Sequence, residues 1–213
     1  MEFSIQHICK SFNRKPILKN LNLIIKSNES VGIIGSNGSG KTTLLKIISG
    51  LMRPDSGHGL LNNLSIFGTD YNYRKDVCYW GHQIDCYPNM TAFENISLFL
   101  QLRNDLKTKN QINSVLECVG LKNSKNQLVG EFSAGMIQRF HIARLKLSSW
   151  TLGIIDEPTN ALDEPGLSLL SKSINEFKID KKSLILSSHN IDFIKKHCKI
   201  IYQLKNGSLE IIN

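Results

Sequence analysis

A short apolar run, Val31-Gly32-Ile33-Ile34, gives way to Gly35-Ser36-Asn37-Gly38-Ser39-Gly40-Lys41-Thr42-Thr43, and then to Leu44-Leu45-Lys46-Ile47-Ile48 at helical spacing. Buried strand, glycine-rich loop and helix in that order is the context that a phosphate-binding loop demands. Residues 35–42 fit G-x-x-x-x-G-K-[ST] without a mismatch. The glycines let consecutive backbone N–H groups turn inward as a nest for phosphate oxygens. Lys41 brings positive charge to the β- and γ-phosphates, and Thr42 offers a hydroxyl to Mg²⁺. The helix beyond points its N-terminal dipole at the same anion. Gly35, Ser36, Asn37, Gly38, Ser39, Gly40, Lys41, Thr42 and Thr43 are therefore expected to cradle a nucleotide.

The rest of the chain supports an α/β reading. Phe3 to Ile8 alternates, and Ile17 to Ile25 continues the pattern after a turn, as strands do. Asp55 to Gly59 reads as a turn cluster, with a strand returning over Leu60 to Phe67. From Tyr87 to Gly130 the apolar residues (Phe93, Ile96, Phe99, then Ile112, Leu116, Val119) recur at helical spacing, and Thr91 with Glu94 forms a capping-box pattern. A helix is expected from Ser133 to Ser148. Buried strands are expected at Leu152 to Ile155 and Ser183 to Ser188, and a hairpin turning at Asn206-Gly207. The second acidic element, Asp156-Glu157, follows one of those strands. Asp156 at such a strand end can hold Mg²⁺, and Glu157 can polarise a water for in-line attack on a γ-phosphate.

Phe132-Ser133-Ala134-Gly135-Met136, followed by Arg139 and Ala143-Arg144, resembles the LSGGQ signature of ATP-binding-cassette ATPases. Gln83 stands where the family's glutamine loop begins. Ala161-Leu162-Asp163 resembles the loop after the catalytic glutamate, His189 the switch histidine, and Phe12 the aromatic that stacks on adenine. The elements occur in the family's order over nearly the whole chain. The resemblance implies a P-loop NTPase core sheet with an N-terminal antiparallel β subdomain and a helical insert. The core would take residues 1–86 and 131–213, and the insert about 87–130. It implies ATP as substrate, Mg²⁺ held by Thr42, Gln83 and Asp156, and catalysis by Lys41, Glu157 and His189. It also implies a second cassette chain, most simply a homodimer, whose Ser133 hydroxyl and Gly135 amide meet the γ-phosphate held by Lys41 of the first. Phe132, Ala134 and Met136 depart from the usual Leu, Gly and Gln of the signature.

Composition narrows the setting. Among 213 residues there is no apolar run near the eighteen or so of a membrane span, and Met1-Glu2-Phe3-Ser4-Ile5-Gln6 does not read as a secretory signal. Work on a membrane would thus need separate multispanning transporter subunits, which Tyr87, Met90, Phe93 and Phe99 of the insert are candidates to meet. The expected location is peripheral, on the cytoplasmic face of an inner membrane or the matrix face of the mitochondrial one. The net charge of +8 is spread over scattered lysines and fits a Lys-, Asn- and Ile-rich composition, so no nucleic acid is expected. Five cysteines lack a CxxC or metal spacing. Gly81-His82-Gln83, Ser133-Ala134-Gly135 and Ala143-Arg144-Leu145 together are similar to the ATP-binding subunit of the haem exporter of cytochrome c-type biogenesis. A lipid, drug or peptide exporter, or a soluble cassette acting on ribosomes or DNA, are the alternatives.

Overall fold

The computed structural model describes residues 1–81 and 86–212, so His82 and Gln83 lie outside the described residues. In chain order the elements are β1 (Phe3–Phe12), β2 (Lys15–Ile25), β3 (Ser30–Ile34), α1 (Lys41–Ile48), β4 (Ser56–Leu61), β5 (Leu64–Ser65) and β6 (Val77–Trp80). Then come α2 (Ala92–Leu102), α3 (Lys109–Cys118), α4 (Ala134–Leu147), β7 (Leu152–Asp156), α5 (Glu164–Ile179), β8 (Ser183–Ser187), α6 (Ile191–His197), β9 (Ile200–Lys205) and β10 (Ser208–Ile212). They fall into two compact units. One takes Met1–Trp80, Trp150–Glu157 and Phe177–Asn213, the other Gly81–Ser149 and Pro158–Glu176.

The first, the sheet unit, holds every strand among the described residues. An antiparallel sheet runs β2-β1-β4-β5, and a mixed one runs β10-β9-β3-β8-β7-β6. In the second sheet β3, β6, β7, β8 and β9 are parallel and β10 alone pairs antiparallel. Its inner strands β3, β7 and β8 are buried at every position, and that is why they read as continuous apolar runs, not as alternation. One apolar core joins both sheets to α1 through Phe3, Ile5, Leu23, Ile33, Leu45 and Ile154. The expected hairpin between β9 and β10 is present, with Asn206 at φ 52° and Gly207 at φ 83°, as a two-residue turn of this hand requires.

The stretch from Asp55 to Phe67 corrects the sequence reading. Strand β4 already begins at Ser56, and Gly57 at φ 102° lies so close to β1 that a Cβ there would meet the His7 carbonyl at 2.6 Å. Gly57 admits a neighbouring backbone, and Gly59 makes room for the Ile5 and Ile66 side chains; neither turns the chain. The turn comes at Asn62 and Asn63, at φ 50° and 65°, which splits the expected strand into the β4–β5 hairpin. Asparagine tolerates that left-handed conformation better than other side-chain-bearing residues.

The helical unit packs α2, α3 and α4 around buried Ile96, Leu100, Ile112, Leu116 and Phe140. Thr91 and Glu94 form the expected capping box at α2, and Thr108 with Gln111 forms a second one at α3. Among the described residues no helix is long and apolar enough to cross a membrane.

Candidate active site

Three adjacent parallel strands, β3, β8 and β7, end on one edge of the mixed sheet, and each delivers one polar loop there. Carboxyl ends of parallel strands are where open α/β sheets bind ligands. From β3 comes the loop Gly35 to Gly40. Gly40 caps α1 at φ 106° with no side-chain hydrogen bond, so the first-turn N–H groups of α1 have no cap side chain across them. A Cβ on Gly40 would also strike Ile17 at 2.8 Å, so only glycine fits there. Ser36, Asn37 and Gly38 are exposed, whereas Lys41 is buried. Its Nζ donates to the carbonyls of Gly35 at 2.9 Å and Ser36 at 3.4 Å, and lies 3.5 Å from Glu157 Oε1.

Strand β7 delivers Asp156 and Glu157, only 1% and 5% exposed. Thr42 Oγ1 donates to Asp156 Oδ2 at 2.7 Å, bringing the loop hydroxyl and the acid together as the sequence implies. Glu157 sits at φ 52°, a left-handed conformation that costs a non-glycine residue about 1–3 kcal/mol and is held where neighbours over-determine it. From β8 comes His189, whose Nε2 lies 3.1 Å from Glu157 Oε1 and whose N–H donates to Glu157 Oε2 at 3.0 Å. Lys41, Thr42, Asp156, Glu157 and His189 are thereby gathered from 149 residues of sequence into one contact network. Two oxygen donors, hydroxyl and carboxylate, converge in it, a donor set that suits Mg²⁺.

Phe12, at the end of β1, is 45% exposed and has the Lys10 ammonium 5.6 Å over its ring. Sequence reasoning missed the group behind it. Asp55 accepts from Lys10 Nζ at 2.8 Å and from Ser11 N–H at 2.6 Å, fixing the end of the strand that carries Phe12. Those two donors hold its carboxyl below the usual range. Ser187, the last residue of β8, was also missed: its hydroxyl donates to Asp156 Oδ1. No local signal marks it, because Ser183 and Ser188 stand in the same stretch of sequence.

In the helical unit Ser133 is the N-cap of α4, its Oγ accepting from Met136 N–H at 3.3 Å. That bond uses the Met136 backbone, so replacing the usual Gln leaves the cap intact. Phe132 stacks edge-on against buried Phe140, with ring centroids 6.5 Å apart, a contact that an aromatic side chain makes in place of Leu. Ser133 and Ala134 are exposed and Gly135 half-buried. A Cβ on Gly135 would lie 3.3 Å from the carbonyl of Ala161, itself at φ 62°. Arg139 pairs with Asp163 at 3.1 Å, and Asp163 also accepts from Gly166 N–H at 2.9 Å, tying the 161–163 loop to both α4 and α5.

Comparison with known proteins agrees with this geometry. The family described as "ABC transporter" matches residues 18–160. The chain is 35% identical over 182 residues to the cytochrome c biogenesis ATP-binding export protein CcmA of Aliivibrio fischeri, covering 85% of this chain and 89% of that protein. It is 33% identical over 207 residues to the bacitracin transport ATP-binding protein BcrA of Bacillus licheniformis, covering 93% of this chain but 66% of BcrA. The dimeric structure of the ATP-binding cassette MJ0796, in a post-hydrolysis state bound to ADP and Pi, superposes with a TM-score of 0.88. That pair is 27% identical, over 98% of this chain and 96% of that one.

Proposed function

The chain belongs to the ABC transporter family and carries its ATPase domain, and on that premise we propose that it hydrolyses ATP with Mg²⁺, as a dimer, to drive separate membrane subunits. The observation that carries this reading is the Thr42–Asp156 and Lys41–Glu157–His189 network at the phosphate-loop edge of the sheet. Lys41 exchanges its bonds to the Gly35 and Ser36 carbonyls for the β- and γ-phosphate oxygens. The N–H groups of Gly38, Gly40 and the first turn of α1 surround the same phosphates, with Ser36, Asn37, Ser39 and Thr43 completing the cradle. Thr42, Asp156 and Gln83 would hold Mg²⁺, which would supply positive charge to offset that of the phosphates. Glu157 takes a proton from the attacking water as its oxygen bonds to the γ-phosphorus. The bond from that phosphorus to the bridging oxygen breaks, and ADP leaves with the electron pair. His189, hydrogen-bonded to Glu157, holds the base in line with that water. Phe12 stacks on the adenine.

The turn Ser133-Ala134-Gly135, exposed at its first two residues, is then the half-site that one chain offers another. The Ser133 hydroxyl, the Gly135 amide and the N-terminal end of α4 face the γ-phosphate held by the partner. Closure with ATP and release after hydrolysis make the γ-phosphate the switch. The helical insert, about 87–130, presents the surface for multispanning subunits. Tyr87 is 59% exposed, and a cleft lined by Cys86, Tyr87, Leu98, Phe99, Leu102 and Arg144 offers apolar walls with a buried cation. Phe93 and Met90 are half-buried and contribute less.

The likeness to CcmA, with the short motifs noted above, favours haem export for c-type cytochrome biogenesis and a peripheral place on the cytoplasmic or matrix face of an inner membrane. A peptide-antibiotic exporter is the second reading, favoured by the longer match to BcrA. Tagged chain purified from membranes tests both. Co-purified multispanning haem-handling proteins support the first reading, other multispanning exporters support the second, and ribosomes or DNA in their place overturn the transport role.

A further inference from the structure

Ser187 is fully buried at the carboxyl end of β8, level with Asp156 in the β7–β8 ladder. A serine hydroxyl has one proton and two lone pairs. Here the proton goes to Asp156 Oδ1 at 2.5 Å, and a lone pair accepts the Glu157 N–H at 3.1 Å. The Ser187 carbonyl accepts the same N–H at 3.1 Å. Asp156 Oδ2 is already engaged by Thr42, so Ser187 holds the remaining oxygen and fixes the carboxylate plane. The same residue also pins the backbone of Glu157 in its left-handed conformation, next to the carboxylate it orients.

We propose that Ser187 is a positioning residue that sets the Mg²⁺-holding carboxylate and the general base as one unit. The proposal rests on the assignment of Asp156 and Glu157 made above. Without the hydroxyl, Asp156 Oδ1 is buried and loses this donor, and the carboxylate is free to rotate off the line to Thr42. Glu157 keeps its backbone bond to the Ser187 carbonyl and loses the one to the hydroxyl. Metal retention and proton removal weaken together. A serine that merely filled space in a crowded strand would do neither. Ser183, in the same strand, is the matching control: it is 1% exposed, and its hydroxyl accepts the Asn28 N–H at 3.0 Å.

The test uses the full chain. Metal affinity is read from the free Mn²⁺ resonance during titration with a non-hydrolysable ATP analogue, and ATP turnover is measured against Mg²⁺ alongside. Ser187→Ala is expected to weaken Mn²⁺ binding by about 10-fold or more, the usual cost of removing an outer partner of a metal ligand, and to lower kcat in the same range. Ser187→Thr, which keeps the hydroxyl, should recover most of both, and Ser183→Ala should match wild type. Ser187→Cys keeps the side-chain shape with a larger atom and a weaker donor, and carries the test should the alanine variant unfold: it too should bind Mn²⁺ less tightly. Wild-type Mn²⁺ affinity in Ser187→Ala or Ser187→Cys, or an equal loss in Ser183→Ala, overturns the proposal. Asp156→Asn in the same titration separates the two levels. If it loses Mn²⁺ while the Ser187 variants do not, the Ser187 proposal fails alone. If it binds Mn²⁺ as wild type does, the assignment beneath has failed.

Discussion

In the sheet unit the two acids are enclosed and already paired: Asp156 between Thr42 and Ser187, Glu157 between buried Lys41 and the more exposed His189. In the helical unit the Ser133 turn is exposed, and its polar groups do no more than cap their own helix. The first arrangement is organised before any ligand arrives, and such preorganisation is where most catalytic electrostatics come from. On the proposed reading the second would gain its function when another molecule covers it. The same chain would then carry a finished half-site and an open one, making catalysis conditional on a partner.

The largest expected effect lies in the enclosed half. Lys41→Ala removes the ammonium from the phosphate loop and should lower ATP turnover by about 100-fold or more, leaving the far-ultraviolet spectrum unchanged. If turnover survived, the paired network would be structural and the contrast would collapse. Ser133→Ala probes the open half. It should cost roughly 1 kcal/mol of stability through the lost N-cap, a fall of about 2–4 °C in Tm, and should reduce turnover by about 10-fold at saturating ATP. A fall in Tm with unchanged turnover would make Ser133 a cap and nothing more.

Acid should act on both units at once. Burial lowers His197 of the sheet unit to about 4, with Lys178 and Lys196 adding to the effect, and lowers His141 of the helical unit to about 3, helped by Arg144. Both folded values lie below the ordinary 6.5, so the unfolded chain binds these protons first. Stability is complete above about pH 6.5 and is lost as pH falls toward about 4 and then about 3. Trp80 and Trp150 both belong to the sheet unit, so tryptophan fluorescence follows that unit in thermal melts taken at descending pH. His141→Gln should flatten the acid dependence of the helical signal more than that of fluorescence; identical slopes would mean the units do not respond separately. The smallest effect is expected from Thr108→Ala, which opens the α3 capping box. A cost of about 1 kcal/mol in melting experiments with unchanged kcat would place α3 outside the chemistry.

Legibility did not follow that divide, since what could be read and what escaped lie together in the sheet unit. The phosphate loop, the acids after β7 and the Asn206-Gly207 hairpin could be read because each depends on local backbone chemistry that fixes residue type. The Asn62–Asn63 turn escaped because asparagine pairs signal turns more weakly than glycine, and because Gly57 served contact with β1. Ser187 and Asp55 escaped for a different reason. Their partners are 31 and 45 residues away in sequence, and only the strand order brings them together. Pairing across a sheet leaves no local trace, so outer partners of a site are the last part a single sequence yields.

The central claim is that ATP joins the open half of one chain to the finished half of another. Glu157→Gln should bind ATP without hydrolysing it, and light scattering with saturating ATP and Mg²⁺ reads the outcome directly. A mass doubling from 24.0 kDa, reversed when ATP is removed, is the predicted result. A Glu157→Gln protein that binds ATP yet stays at the monomer mass at every concentration tested would contradict it.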